Sequence, residues 1–237
     1  MKLKLKQVIL SAIGITAIAG ISMHAFAGTP NTTGGLNNQL AQAESKLLQD
    51  NPDMSKKALD VALRAYGHLR EQGKDPQQVL TFINYEKPSF QKRFWVIDMK
   101  NQKVMYNTYV AQGKNTGAVY AKHFSNDPKS LESSIGVFLT GQTYSGKHGY
   151  SMRLHGLDKG FNSNAYKRAV VMHSAWYVSE QFVKAHHRVG RSWGCTALSQ
   201  KMEPKVVKAI KGGTVMVSYY PNAKWLNSSE YTQPLTA

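Results

Sequence analysis

Cysteine is nearly missing from this chain: Cys195 is the only one in 237 residues. No intramolecular disulfide can form, so the thiol is free. Acidic residues are also scarce, 14 Asp and Glu against 30 Lys and Arg, for a formal charge of +16. That balance favours polyanionic partners. Yet the basic residues are scattered, with no basic helix and no aromatic-basic ladder, which argues against a nucleic-acid module. Beyond the first residues no stretch is apolar enough to span a bilayer. There is no internal repeat, no Gly-x-Ser-x-Gly elbow surrounds Ser134, and no histidine spacing matches a metal-ligand pattern.

What the chain does have begins at its N-terminus. Lys2, Lys4 and Lys6 precede an apolar stretch from Val8 to Ile21, and Ala25-Phe26-Ala27 is a small-x-small site. This pattern predicts a secretory signal over residues 1–27, cleaved before Gly28. The mature protein is then expected in the periplasm or outside the cell, touching the membrane only through its export signal. A lone cysteine is informative in that setting, because exported proteins normally use cysteines in pairs.

Residues 28–75 read as a flexible leader (Gly28 to Leu36) followed by a helical hairpin. Leu40, Ala43, Leu47 and Leu48 share one face, and Leu59, Leu63, Tyr66 and Leu69 recur at helical spacing. Asn51-Pro52-Asp53 separates the two helices and Gly73 stops the second. From residue 76 to 220 the texture changes to strands: Val79 to Tyr85, Arg93 to Met99, Val104 to Ala111, Ser134 to Thr140, Ala169 to Met172 and Thr214 to Tyr220. Short helices are expected over Val178 to His187 and Lys201 to Lys211. Residues 221–237 read as a loose polar tail. The fold class is therefore mainly β, a sandwich or barrel with a few helices and an N-terminal helical segment.

The chemistry centres on Cys195. A cysteine attacks through its thiolate and needs a base or a cation nearby. His173, at the end of a short buried strand, is the candidate base. Gly194 lets the chain turn tightly, so that amides of Trp193, Gly194 and Cys195 can converge on a developing oxyanion. Arg188 and Arg191 raise the local potential and suit a substrate carboxylate. His148 and His155 lie among glycines and are candidates to line a cleft, as are Tyr144, Tyr150 and Trp193. Asp158 and Glu180 are carboxylates without a spacing that singles them out.

His173 followed downstream by Ser192-Trp193-Gly194-Cys195 resembles the signature of the L,D-transpeptidase catalytic domain: a histidine, a spacer, then Ser/Thr-His-Gly-Cys. Phe94 to Met99 with its hairpin is similar to that domain's opening strands, and Ser134-Ile135-Gly136-Val137-Phe138 to its Thr-Pro-x-Gly-x-Phe strand. The resemblance spans roughly residues 79–220. It implies a two-sheet β-sandwich bearing a cysteine acyltransferase without metal or organic cofactor. In such a site Cys195 is the nucleophile and His173 the base, and Ser174 or a main-chain carbonyl near it orients the imidazole. Gly194 and Cys195 supply the oxyanion amides, while Arg191, Ser192, Trp193, Tyr144, His148 and His155 contact substrate. The implied substrates are peptidoglycan stem peptides. Acceptors are a second stem, a wall-attached protein, or water in a carboxypeptidase.

Two positions depart from the pattern. Trp193 replaces the histidine of Ser-His-Gly-Cys, and Ala197 stands where Arg or Asn is common. Both leave the nucleophile and base intact. Hydrolysis of wall peptides and an inactive wall-binding module are the alternatives that the same residues allow.

Overall fold

The computed structural model describes residues 33–236. The expected signal at residues 1–27 lies outside them, as does the leader up to residue 32. The described chain opens with α1 (Thr33–Asp50) and α2 (Lys56–Glu71). Strands β1 (Val79–Asn84), β2 (Phe94–Asp98), β3 (Lys103–Thr108) and β4 (Gln112–Gly113) follow. Then come β5 (Gly136–Gly146), β6 (Gly149–Gly156), β7 (Val171–Ser174) and α3 (Glu180–His186). Next come β8 (Arg191–Ser192), β9 (Thr196–Leu198), α4 (Glu203–Ile210), β10 (Val215–Tyr219) and α5 (Ala223–Ser228), followed by a 3-10 turn at Glu230–Thr232.

The fold is mainly β, as expected, with its strands in two sheets. One has eight strands in the order β3-β2-β1-β10-β5-β6-β7-β9; the other pairs β4 with β8. β1, β2 and β10 are buried almost throughout, because both faces of the large sheet are covered. Leu80, Phe82, Trp95, Ile97, Val215 and Val217 join Leu47, Leu59, Ala62 and Leu69 of the helical hairpin in one core. The alternate residues Ile83, Phe94, Val96 and Met216 meet Met152, Leu154, Met172 and Leu198, with Val206, Val207 and Ile210 of α4, in another. Strands from the two ends of one sheet share that core because the sheet curls. The register shift in β5 between Thr140 and Thr143 is the kind of bulge that bends a strand.

Burial explains α2. Ala58, Leu59, Ala62, Leu63, Tyr66 and Leu69 are buried at helical spacing, and Ser55 caps the N-terminus by accepting from the Ala58 amide. Three expectations need correction. Residues 33–36, read as leader, already belong to α1, with Leu36 buried in the core. The strand expected to end at Thr140 continues through the glycine-rich stretch 141–149, which belongs to the distal half of the β5–β6 hairpin. The tail is not loose: Trp225 of α5 is fully buried and donates from Nε1 to Asp158 Oδ2 at 3.1 Å. Asp158 also accepts from the Val137 amide at 2.6 Å and from Ser229 Oγ, so it ties the tail to the start of β5. Among the described residues no helix is long and apolar enough to cross a membrane.

Candidate active site

β7 delivers His173, buried, one residue before its end. β9 runs parallel beside it, with Met172 opposite Thr196 and His173 opposite Ala197. Cys195, immediately before β9, thereby falls level with Val171 at the start of β7, two positions along the strand from His173. Both side chains line one cavity of about 600 Å³ with Lys129, Leu131, Lys147, His148, Arg168 and Trp193 among its walls.

The imidazole is oriented by a backbone carbonyl. His173 Nδ1 lies 2.8 Å from Ser174 O. A carbonyl only accepts, so Nδ1 carries the proton and Nε2 keeps its lone pair. Burial is the largest cause holding the His173 pKa below the usual histidine value; the Ser174 bond opposes it and His148 adds to it. Burial likewise pushes the Cys195 thiol up, against the Val171 backbone hydrogen bond and the charge of Arg168, which lower it. The resting pair at neutral pH is therefore a thiol and a neutral imidazole, with the thiol directed at Ala169 O, 3.7 Å away.

The turn before Cys195 is held by Ser192. Its Oγ donates to Cys195 O at 2.7 Å and accepts from the Gly194 amide at 3.1 Å. Gly194 adopts φ +111°, and a Cβ there would meet Glu132 O at 2.6 Å, so glycine is required twice over. The Ser192 hydroxyl thus shapes the turn, and the Gly194 amide donates to it.

Trp193 and His148 line the cavity wall with Arg191. Trp193 is 74% exposed. His148, at the tip of the β5–β6 hairpin, stacks on His173 with ring centroids 4.4 Å apart. Lys147 beside it sits 6.0 Å over the Trp193 ring. Tyr144 and His155 are not part of this cavity. Arg153 and His155 alternate with buried Met152 and Leu154 along β6, so they face outward. There Arg153 covers Tyr144 at 4.5 Å and His155 stacks on Tyr166. Ala197 is fully buried against Ala111, Ala175, Val178 and Val189, so this departure is a packing choice. Asp158 is structural, as described above.

Arg168 was not anticipated. Its guanidinium lines the cavity and donates to Ser125 O and Ser134 Oγ, both at 2.6 Å, to Glu132 O at 2.7 Å and to Ser130 Oγ at 3.0 Å. It thus clamps residues 125–134, a strap in which Lys129 and Leu131 both hold left-handed φ values of +64° and +58°. Such backbone costs about 1–2 kcal/mol per residue and persists where surrounding bonds enforce it. A basic residue five before the candidate base was the available signal.

The family model for the L,D-transpeptidase catalytic domain matches residues 50–219. No curated protein matches the chain. Among solved structures, an L,D-transpeptidase from Mycobacterium smegmatis is 15% identical; the alignment covers 60% of this chain and 59% of that one, at a TM-score of 0.37. The L,D-transpeptidase (Yku) from Stackebrandtia nassauensis is 12% identical, covering 81% of this chain and 92% of that one at 0.37. The helical cell shape determining protein Pgp2 from Campylobacter jejuni is 10% identical, covering 69% and 57% at 0.38. The chain spans 59% of the length of the first of these.

Proposed function

Because the chain belongs to the L,D-transpeptidase catalytic domain family, we propose that it is an exported cysteine acyltransferase acting on peptidoglycan stem peptides. The observation that carries this reading is the shared cavity of Cys195 and His173, with Nδ1 of the histidine committed to Ser174 O.

His173 Nε2 takes the thiol proton as Cys195 Sγ attacks the carbonyl carbon at the third residue of a stem tetrapeptide. A tetrahedral oxyanion forms, and with the Gly194 amide engaged by Ser192, the Cys195 amide is the donor assigned to it. Collapse breaks the peptide bond; the leaving D-alanine amine receives the proton from His173, and the acyl group remains as a Cys195 thioester. Attack by an amine of a second stem, with its proton returning through His173, forms a 3→3 cross-link and frees the thiol. A wall-attached protein amine is an alternative acceptor, and water gives a carboxypeptidase. Ser174 acts through its carbonyl, Trp193, His148 and Arg191 form the substrate wall, and no step requires a metal or an organic cofactor. The signal at residues 1–27 supports a periplasmic or secreted, wall-associated location.

Mass spectrometry of the protein incubated with a disaccharide-tetrapeptide tests this. A cross-linked dimer lacking one D-alanine, absent with Cys195→Ala and His173→Ala, is the expected result. Tripeptide without dimer would replace transfer by hydrolysis. No product and no adduct on Cys195 would overturn the assignment.

A further inference from the structure

Among the described residues no Asp or Glu lines the cavity around Cys195, whereas Lys129, Lys147, Arg168 and Arg191 all do. These cations come from four separate segments: the strap 125–134, the β5–β6 hairpin tip, the loop before β7, and β8. Their convergence is a property of the fold and not of a basic run in the sequence. None of them is neutralised by contact. Among the described residues the ion pairs are Lys46–Asp50, Lys56–Glu44 and Arg64–Asp60, all within the helical hairpin. The Arg168 guanidinium donates to neutral oxygens alone. Asp127 and Glu132 reach it only through space. Arg191 donates to a neutral carbonyl, Lys114 O, at 3.1 Å.

From this we infer that the site selects its donor by charge: it takes stem peptides whose carboxyl groups are free and discriminates against the same peptides with those groups amidated. The inference rests on the acyl-transfer reading for the identity of the ligand as a stem peptide. Its physical basis is independent of the chemistry at sulfur. An ionised carboxylate offers acceptors only and meets donors on every charged wall of the cavity. An amide loses the charge and turns two N–H donors toward ammonium and guanidinium donors, a mismatch that specificity exploits. Each exposed cation contributes modestly, ~2- to 5-fold in affinity by the range for surface charge pairs, and the set together about 10-fold or more. Because Lys129, Lys147 and Arg191 are exposed, salt screens their part.

Calorimetric titration of the Cys195→Ala protein, which keeps the cavity but cannot turn over, tests the inference. The ligands are a disaccharide-tetrapeptide with free carboxyl groups and its amidated counterpart, each at low and high salt. Lys129→Met, Lys147→Met and Arg191→Met, made singly in that background, follow the contribution of each exposed charge without disturbing the core. The free form is expected to bind at least about 10-fold tighter at low salt. That gap should narrow with added salt and shrink ~2- to 5-fold in each methionine variant. Equal binding of the two forms, preference for the amidated one, failure of both to bind, or a gap indifferent to salt and to all three variants overturns it. The wild-type protein is assayed in parallel for a Cys195 thioester. Thioester formation with equal binding of both peptides removes charge selection and leaves acyl transfer standing. A binding gap without any thioester removes acyl transfer and supports charge selection.

Discussion

The imidazole of His148 lies nearly flat against that of His173, with centroids 4.4 Å apart and ring planes at 22°. His148 belongs to a hairpin tip and His173 to a buried strand end, so the contact joins a projecting element to the proposed base. Burial and the neighbouring His148 both hold the His173 pKa down, which keeps Nε2 unprotonated and able to accept.

His148→Gln removes the like charge and uncovers one face of the His173 ring. The His173 pKa then rises toward its ordinary value of 6.5. The acidic limb of single-turnover acylation, set by protonation of the base, is expected below pH 6.5 in the wild type and shifted upward in the variant. An unchanged limb would show that the stack does not tune the base.

Arg168 couples the strap to the nucleophile. Arg168→Met removes four hydrogen bonds from the strap and the charge that lowers the Cys195 pKa. The pH midpoint for alkylation of Cys195 should rise, and the melting free energy should fall by ~2–4 kcal/mol. Arg168→Lys keeps the charge but not the fork, so it should retain more of the alkylation midpoint than of the stability. Equal effects of the two substitutions on alkylation would exclude the electrostatic role.

Gly194→Ala tests the turn directly. Its φ of +111° and the 2.6 Å approach to Glu132 O leave no room for a methyl group, and the strain is worth ~1–3 kcal/mol. Displacement of the turn moves Cys195 relative to His173. Acylation is expected to fall by ~100-fold or more while the protein remains folded by circular dichroism; full activity would contradict the geometry.

Cys195 and His173 were legible in the sequence because their chemistry is local: a single thiol beside glycine, and a histidine closing an apolar run. Arg168 was not, since an arginine beside Lys167 reads as a solvated surface charge until the strap folds over it. β6 was missed because Gly146 and Gly149 mask the period-two alternation of Met152 and Leu154 that follows. That Tyr144 and His155 lie outside the Cys195 cavity was hidden for a related reason. Proximity in the chain to His148 says nothing about which face of a strand carries each side chain, and a register shift in β5 intervenes. Asp158 and Trp225 are 67 residues apart, and only their burial together shows that the polar tail is anchored.

That anchor has a measurable strength. Trp225→Ala leaves a void in the core and strands Asp158 without one of its donors, so urea unfolding should reveal a loss of ~3–5 kcal/mol. Trp225→Phe keeps most of the packing but drops the Nε1 bond, for a smaller loss of ~1–3 kcal/mol. If alanine cost less than 1 kcal/mol, the tail would not be part of the cooperative unit.

Glu203 opens α4 with its side chain almost wholly buried and Oε1 without a partner. Burial raises its pKa from 4.5 to about 7. The folded-state value lies above the unfolded one, so its stability contribution is complete below pH 4.5 and is lost as the pH rises through about 7. Asp75, raised to about 6 by burial, acts in the same direction, so the wild type should weaken toward neutral pH for more than one reason. Glu203→Gln isolates one of them. The variant should gain ~2–3 kcal/mol on the wild type between mildly acidic and weakly alkaline pH, read as the difference between two denaturation series. A difference that stays constant with pH would mean that Glu203 does not titrate differently on folding, and that its buried oxygen finds a partner.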